Sequence, residues 1–126
     1  MDDLVSGDLR ISVREFPDAL HLIWLGKSNA RSADRLIGPY LENALGRARE
    51  LGKPLELRFE QLAHFNSSTI ASVIKLIEAA RAASTRLVVV NDPAREWQRL
   101  AFDALRVFVQ PDGLFEVRTA RPGASS

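Results

Sequence analysis

The segment LELRFEQLAHFNSSTIASVIKLIEAARAASTRLVVVN (residues 55–91) contains a strand, a helix and a second strand in direct succession. Apolar and charged residues alternate in its first part, which is typical of a strand with one face exposed to water. The middle part places Ile70, Val73, Ile74 and Ile77 on one helix face. The last part, TRLVVVN, is a continuous apolar run, which indicates a strand covered on both faces. Two strands joined by a helix predict a parallel pair with a crossover connection.

The residues before this unit predict a hairpin and a first helix. LRISVRE (residues 9–15) alternates apolar and charged residues, and ALHLIWLG (residues 19–26) is a more apolar run. The short FPD turn between them favours an antiparallel pair of strands. Helical spacing follows, and because Gly38-Pro39 interrupts it, we expect an irregular first turn and a regular helix only from about Pro39 to Leu51. Gly52 is expected to end this helix.

The residues after position 91 predict a third helix and a last strand. Asp92 is the expected N-cap of the helix DPAREWQRLAFDAL, with Pro93 in its first position. LFEVRT (residues 114–119) is a short last strand. The chain therefore predicts the order β-β-α-β-α-β-α-β. This is an α/β fold with a mixed, mostly parallel sheet of four or five strands and helices packed against it.

Composition and charge favour one compact domain. Of the 126 residues, 46% are hydrophobic and 26% are charged, which supplies a core without metals or disulfides. The 17 basic and 16 acidic residues are mixed along the chain, so no nucleic-acid partner is expected. We expect a single domain over residues 1–126, with a core over about residues 9–118 and a flexible tail over residues 119–126.

Targeting signals and membrane segments are not expected. The N-terminal residues MDDLVSGDLR are acidic and lack an apolar core, and the longest apolar runs are too short to cross a bilayer. No cysteine is present, which excludes thiolate chemistry and disulfides. These features predict a cytoplasmic protein with no membrane partner.

The residues needed for metal binding or catalysis are not grouped in the sequence. His21 and His64 lie on different predicted elements, and no cluster has the spacing of metal ligands. Ser67 and Ser68 are near His64, but no carboxylate is placed to orient that histidine, and G-x-S-x-G and glycine-rich phosphate loops are absent. We therefore expect no enzymatic activity, no catalytic residue, no metal and no cofactor. His21 is interpreted as a strand histidine on a partly exposed face.

Four consecutive polar residues at the start of the second helix need a different explanation. Capping a helix takes one side chain, and Asn66 or Ser67 can supply it, but Ser68 and Thr69 are poorer helix formers than other residues. Exposed amides and the positive end of the helix dipole favour a phosphate here by up to about 2 kcal/mol. Phosphorylation would leave the fold intact and add nearly two negative charges to the surface, which would repel a docked partner.

These residues resemble the STAS domain of bacterial anti-sigma factor antagonists, and the resemblance covers roughly residues 9–117. In that family a strand ends in an Asp-Ser-Ser-Gly-type motif, and its first serine is phosphorylated by a kinase that is also the anti-sigma factor. The resemblance therefore implies a STAS-like fold with Ser67 as the phosphoacceptor and Ser68 as the second choice. Asn66 stands where the family has aspartate. Thr69 replaces the glycine, which places a bulkier side chain where a kinase approaches.

The resemblance also implies partners and a docking surface. The serine kinase that is the anti-sigma factor would modify the chain, and a PP2C-type phosphatase would reverse the modification. The unmodified form would dock through the tip of the second helix, and a homodimer is a further option. Trp24 and Trp97 are expected in the core, Trp97 with part of its surface at an interface. The residues expected to contact the partner are Lys27, Ser28, Asn29, His64, Asn66, Ser68, Thr69, Ser72 and Lys75.

A second resemblance is to small phosphoprotein regulators of diguanylate cyclases. They have a similar fold and an Asn-Thr-Ser-Ser motif after an aromatic residue, to which HFNSST is similar. Their early glycine-x-serine and the proline in their first helix resemble Gly26-Lys27-Ser28 and Pro39. Many STAS domains end in another helix, which VRTARPGASS lacks, so an open sheet edge or helix face is expected.

Three alternatives to a phosphorylation-gated anti-sigma factor antagonist remain open. The same fold can serve as a scaffold or assembly domain without a phosphate cycle, or the effector can be a diguanylate cyclase. An enzyme or small-ligand binder is the third alternative, and it would rest only on the hydroxyl groups near His64.

Overall fold

The computed structural model describes residues 1–29, 31 and 33–120, and within them the chain forms seven β-strands and three α-helices. The strands are β1 (Leu4–Ser6), β2 (Leu9–Glu15), β3 (Leu20–Ser28), β4 (Leu55–Arg58), β5 (Leu62–Phe65), β6 (Leu87–Asn91) and β7 (Phe115–Thr119). The helices are α1 (Ala33–Leu51), α2 (Ser67–Ala82) and α3 (Glu96–Leu105), and a 3₁₀ turn (Arg106–Phe108) continues α3. The predicted α/β class is confirmed, with more strands than the four or five expected.

The seven strands form one mixed sheet. Its order is β1-β2-β3-β4-β6-β7, and β5 pairs with β3 beyond the end of β4. β1, β2 and β3 are antiparallel neighbours, so the predicted hairpin is confirmed. The pairs β3–β4, β3–β5, β4–β6 and β6–β7 are parallel, as the strand–helix–strand unit predicted.

The three helices pack on the same face of the sheet. Three crossover connections contain the helices, and each leads to the next parallel strand in the same direction along the sheet: β3 to β4, β4 to β6 and β6 to β7. Because such crossovers are right-handed, all three helices lie on the same side of the sheet. Buried residues of all three helices share one core with alternate strand residues such as Leu22, Trp24 and Leu57. Trp24 is fully buried there, as predicted.

The opposite sheet face, which we call the ionic face, is covered by no helix of the described residues. Glu56 on β4 is almost fully buried, and its carboxylate lies 3.3 Å from both His21 Nε2 and Arg58 Nε. The His21 ring is also 4.5 Å from the ring of Phe16. Burial lowers the pKa of His21 below the ordinary 6.5, and the Glu56 carboxylate opposes this shift. His21 is therefore a partly buried strand histidine, as the sequence predicted.

Two short strands were not predicted. β1 has three residues and pairs with β2 at the sheet edge. The sequence predicted β4 and β5 as one strand, but a turn separates them. In this turn the Leu62 amide donates a hydrogen bond to the Phe59 carbonyl at 2.9 Å. After this turn the chain is off the main strand order, and β5 pairs with β3.

The first helix is longer than predicted. α1 begins at Ala33 and continues through Pro39, where the sequence predicted an irregular turn. A proline in the helix interior removes one amide donor, here the one that would bond the carbonyl of Arg35. Pro39 and Arg35 are exposed, so water can take the place of the lost donor. Gly52 ends the helix with φ +65°, as predicted.

The third helix begins later than predicted. The Asp92 carboxylate accepts the Ala94 amide at 3.0 Å, which forms a turn, and α3 starts only at Glu96. The predicted last strand LFEVRT is confirmed as β7, which includes Thr119, the residue that the predicted strand and the predicted tail shared. The remainder of that predicted tail, from residue 121, lies outside the described residues.

Candidate functional site at the start of the second helix

Strand β5 leads directly into α2 at the carboxyl end of the sheet. Asn66 joins them in an extended conformation, with φ −98° and ψ 176°. Its amide donates to the Ser28 carbonyl at 3.0 Å, which fixes the end of β5 to the end of β3. The first turn of α2 is therefore held by two strands that come from distant parts of the sequence.

Asn66 is the N-cap of α2. Its Oδ1 accepts the Thr69 amide at 3.0 Å and the Thr69 hydroxyl at 2.8 Å. The sequence left Asn66 and Ser67 as alternative caps, and the structure assigns the role to Asn66. The side-chain oxygen of an asparagine can accept the N3 amide as an aspartate does, so the cap needs no negative charge.

Thr69 points into the protein. It is fully buried, and its Oγ1 lies 2.6 Å from Ser28 Oγ on β3. A hydroxyl has one proton, so when Thr69 donates to Asn66 the Ser28 hydroxyl donates to Thr69. The sequence predicted that Thr69 would add bulk where a kinase approaches, and this is wrong because the side chain is directed toward β3.

The remaining two hydroxyl side chains differ in exposure. Ser67 is exposed at the first position of α2, whereas Ser68 is half-buried. One turn later, the Ser72 hydroxyl donates to the Ser68 carbonyl at 3.3 Å and is buried. Of the two candidate phosphoacceptors, Ser67 is thus the more accessible from outside.

The end of β3 lies beside this first turn, and β3 continues to Ser28, two residues beyond the predicted end of that strand. Lys27 pairs with His64, and Ser28 pairs with Phe65, across the β3–β5 ladder. The ladder shifts register between Gly26 and Lys27. Gly26 has φ +84°, and a Cβ there would lie 1.9 Å from the Asp8 carbonyl oxygen, so only glycine fits. This shift is what carries Lys27 and Ser28 to the start of α2.

No family model matches the chain, and no curated protein matches it. Two solved structures have the same architecture. The anti-sigma factor antagonist SpoIIAA in its unphosphorylated form matches with a TM-score of 0.52 and 15% identity, over 76% of this chain and 97% of that chain. An uncharacterized DUF3478-family protein from Shewanella loihica PV-4 matches with a TM-score of 0.54 and 17% identity, over 97% of this chain and 94% of that one. The chain has a SpoIIAA-like fold.

The SpoIIAA-like fold confirms the resemblance to STAS domains at the level of architecture. The predicted elements occur in the expected order: the antiparallel hairpin, the strand–helix–strand unit and then the third helix. Identities of 15% and 17% are too low to transfer the roles of single residues.

Three of the nine predicted contact residues are corrected by burial. The side chains of Ser28, Thr69 and Ser72 are inside the SpoIIAA-like fold, with 2%, 0% and 3% of their surface exposed. They hold the start of α2 in place and do not present their side chains to a docked protein. We call the other six residues, together with the candidate phosphoacceptor Ser67, the tip surface. It consists of the exposed Lys27, Asn29, His64, Ser67 and Lys75 together with the half-buried Asn66 and Ser68.

Trp97 extends the tip surface toward α3. Its ring is 5.0 Å from the ring of Phe65 in an edge-on contact and 6.2 Å from the ring of His64. Trp97 is half-buried, which agrees with the predicted mixture of core and surface.

Gln98 is a residue that the sequence analysis missed. It is fully buried, and its Nε2 donates to the carbonyls of Phe59 at 2.7 Å and Leu62 at 3.0 Å. Its Oε1 accepts the Asp92 amide at 2.7 Å. Gln98 therefore fastens the β4–β5 turn to the start of α3. Its position on the same helix face as Phe102 and Leu105 was the signal available in the sequence.

A recess of about 210 Å³ lies between α1 and α2, close to the tip surface. Leu41 and Leu76 contribute apolar surface, and Glu42 and Lys75 contribute opposite charges. Ser72 also lines it, one turn after Ser68. The recess is small and is lined by ordinary side chains of the two helices.

Metal ligands do not converge at the site. Among residues 1–29, 31 and 33–120, no three histidine, cysteine, aspartate or glutamate side chains are placed to hold a metal ion. In the same part of the chain, no helix is long and apolar enough to span a membrane.

Proposed function

We propose that this chain is a phosphorylation-gated protein-binding regulator of the anti-sigma factor antagonist type, with Ser67 as the phosphoacceptor. The observation that carries this proposal is the exposed Ser67 hydroxyl in the first turn of a capped helix, within a SpoIIAA-like fold. SpoIIAA itself is an anti-sigma factor antagonist with an unphosphorylated form. The unmodified tip surface would dock on a protein partner.

The phosphate would act on the surface and not on the fold. A group at Ser67 would sit at the positive end of the α2 dipole, which tolerates a dianion. The Asn66 cap and the Ser28–Thr69 contact both lie on the inner side, so a phosphate on the exposed hydroxyl need not break them. The modification would add about 1.5 to 2 negative charges to the docking surface. A partner that fits the unmodified tip surface would be repelled by charge and blocked by bulk.

The proposed partners follow from this cycle. A serine kinase that is also the anti-sigma factor would phosphorylate Ser67, and a PP2C-type phosphatase would restore the unmodified form. Binding of the unmodified form would release the sigma factor from the kinase. No residue of the tip surface is assigned a catalytic role, because the chemistry belongs to the kinase and the phosphatase.

A regulator of a diguanylate cyclase is the second candidate. The second resemblance rests on HFNSST and, in addition, on Gly26-Lys27-Ser28 and Pro39. In the structure Gly26 permits the register shift of β3, and Ser28 contacts Thr69. The same phosphate cycle on Ser67 would then control a cyclase in place of an anti-sigma factor.

Intact-mass spectrometry tests the phosphorylation step. Purified protein is incubated with Mg-ATP and bacterial cell extract, and we expect a gain of one phosphoryl group in the wild type and in Ser68→Ala but none in Ser67→Ala. Ser84→Ala is a matched control, because Ser84 is an exposed serine at the other end of α2. An unmodified wild type would favour the scaffold alternative, and a gain of mass that persists in Ser67→Ala would move the site elsewhere.

A further inference from the structure

The two edges of the sheet are built differently. At one edge, β1 pairs only with residues 9–11 of β2, and a continued ladder would place Asp2 opposite Val13. The Val13 amide instead donates to the Asp3 carboxylate at 2.8 Å, and the Asp2 carbonyl accepts the Tyr40 hydroxyl of α1 at 2.7 Å. A side chain therefore occupies the next amide of β2, and such blocking is a known protection of a sheet edge against pairing with another strand.

The other edge is formed by β7 and is open. No strand within the described residues pairs with its outer side. The Leu114 carbonyl, just before β7, accepts the Leu87 amide. The Ala120 amide, just after β7, donates to the Asn91 carbonyl. Even-numbered residues thus direct their backbone groups toward β6, and the backbone groups that point away from the sheet belong to the odd-numbered residues Phe115, Val117 and Thr119.

We propose that β7 pairs with β7 of a second copy of this chain, as an antiparallel two-fold pair that joins the two sheets edge to edge. The axis passes through Val117, so that Val117 faces Val117 of the second copy and Phe115 faces its Thr119. In an antiparallel pair, opposite residues whose backbone groups point at each other exchange two hydrogen bonds. This register uses every outward-pointing amide and carbonyl of β7, and it is isologous, as a closed dimer requires.

Charge selects this register among those that the backbone allows. The centre of β7 reads Glu116-Val117-Arg118, which is negative, apolar and positive. With the axis at Val117, Glu116 stands directly opposite Arg118 of the second copy, and symmetry repeats this contact on the other side of the axis. An axis at position 116 would place two carboxylates opposite each other, and an axis at position 118 would do the same with two guanidinium groups. Both shifts would also shorten the pairing.

The ion pairs within one chain do not have to be broken in this dimer. Arg118 Nε lies 2.8 Å from the Glu116 carboxylate on the same strand, and Arg86 contacts that carboxylate from the side of β6. Arg118 of the second copy reaches Glu116 from the open side of β7. Neighbouring charges around the axis then alternate in sign, and like charges stand only on the diagonals.

The apolar side chains of β7 fit the same axis without rearrangement. Phe115 and Val117 are 2% and 8% exposed and belong to the core beneath the helices. The contact is therefore made by the backbone and by charged side chains, and no core residue has to be turned outward. Since β4 and β6 lie between β3 and β7, the dimer leaves the tip surface of each copy uncovered.

The dimer should be weak. A strand of five residues buries less than the roughly 1,200 Å² that marks the lower end of stable interfaces, so we expect a dimer populated at about 100 µM and above. This proposal does not depend on the phosphorylation of Ser67.

Sedimentation velocity at concentrations from about 10 µM to 1 mM is the first test. Thr119→Pro removes an outward-pointing amide but no hydrogen bond to β6, so the variant should still fold. Thr119→Val is the matched control, because it changes the same side chain and keeps the amide. We expect the dissociation constant of Thr119→Pro to rise at least about tenfold, and that of Thr119→Val to stay within about twofold of the wild type. A wild type that stays monomeric throughout, or equal dimerisation of the two variants, overturns the proposal.

Disulfide cross-linking tests the register and does not require Thr119→Pro to fold. The chain has no cysteine, so Glu116→Cys and Arg118→Cys each carry a single one. In the proposed register these two positions are opposite, with Cα atoms roughly 4.5 Å apart, whereas identical positions lie on a diagonal at roughly 7–8 Å. Disulfides join Cα atoms about 4.4–6.8 Å apart, so the mixed disulfide should be preferred.

The two cysteine variants are mixed in equal amounts and oxidised at about 0.3 M salt, which screens the attraction between their altered net charges. Intact-mass spectrometry then counts the mixed and the self-linked dimers. We expect the mixed dimer to exceed each self-linked dimer by clearly more than the roughly twofold ratio of random pairing. A random ratio, or an excess of self-linked dimers, overturns the antiparallel register centred on Val117.

Discussion

α2 and α3 both begin where a parallel strand ends, β5 for α2 and β6 for α3, but their first turns are built differently. At α2, the Asn66 side chain caps the helix and a buried hydroxyl pair ties its first turn to β3. At α3, the N-cap position is occupied by Arg95, which makes no side-chain capping hydrogen bond. The first turn of α2 is thus capped from outside the helix and tied to β3, whereas α3 has no side-chain cap and its start is held by Gln98, a residue of the helix itself. A docking surface that is switched by a change of charge needs a capped and tied helix start such as that of α2, because the surface must keep its shape when the charge changes.

Removal of the buried hydroxyl pair should have the largest effect. Thr69→Val keeps the shape of the side chain but leaves the buried Ser28 hydroxyl without the Thr69 oxygen 2.6 Å away. We expect the free energy of unfolding to fall by about 1–3 kcal/mol in urea denaturation. Thr119→Val, at an exposed position of β7, should change it by less than about 0.5 kcal/mol. Similar losses for the two variants would mean that the hydroxyl pair does not fix the start of α2.

Removal of the cap should have the next largest effect. Asn66→Ala deletes the acceptor of the Thr69 amide, and we expect a loss of about 1–2 kcal/mol in the free energy of unfolding. The equivalent change at α3, Arg95→Ala, removes no capping bond and should cost less than about 0.5 kcal/mol. Chemical denaturation of both variants measures the contrast directly. An Arg95→Ala loss as large as that of Asn66→Ala would remove the distinction between the two helix starts.

A negative charge at Ser67 should have a small and favourable effect on stability. Ser67→Asp places the charge in the first turn of α2, and we expect a gain of about 0.3–1 kcal/mol that decreases at high salt. Ser84→Asp places the same charge just beyond the other end of α2, where the dipole is negative, and should lose a similar amount. Thermal unfolding at low and high salt compares the two variants. Unfolding of the domain by Ser67→Asp would contradict a switch that acts only on the surface.

Acidification should lower the stability of the protein without changing the stability difference between the wild type and Asn66→Ala. The pKa of His21 is lowered by burial, so below its ordinary value of 6.5 the unfolded chain binds more protons than the folded chain. The free energy of unfolding should therefore fall as the pH decreases from about 7.5 to 5.5, and His21→Gln should flatten this dependence. Because His21 lies on the ionic face, the difference between wild type and Asn66→Ala should stay constant over the same range. A pH-dependent difference would link the ionic face to the start of α2.

Regular periodicity made most of the fold predictable from the sequence. TRLVVVN and the alternation from Leu55 onward specified two central strands, and a helix between them fixed their parallel pairing. The break between β4 and β5 was marked only by a shift in phase: the alternation of Leu55, Leu57 and Phe59 does not continue at positions 61 and 63, and the next buried apolar residues are Leu62 and Phe65. The early start of α1 was missed because Pro39 disfavours a helix locally. In the structure Pro39 and Arg35 are exposed, so water can replace the hydrogen bond that the proline removes.

The site was predictable in part. The cap at Asn66 and the accessible hydroxyl at Ser67 follow from local chemistry, since both act within one helical turn. The inward direction of Thr69 depends on Ser28, which is 41 residues away, and no local pattern records that contact. The late start of α3 also involves a contact between distant parts of the sequence. The Asp92 amide donates to Gln98 Oε1, and Gln98 Nε2 donates to the Phe59 carbonyl in the β4–β5 turn.

The contact between Ser28 and Thr69 also bears on when a kinase can act. The two residues leave the ribosome at different times, and neither a nascent chain that lacks β5 nor a short synthetic peptide can form the surface they support. A kinase that recognises this surface would modify only finished, folded molecules. A peptide covering residues 60–75 should accordingly be a poor substitute for the whole protein in a kinase assay.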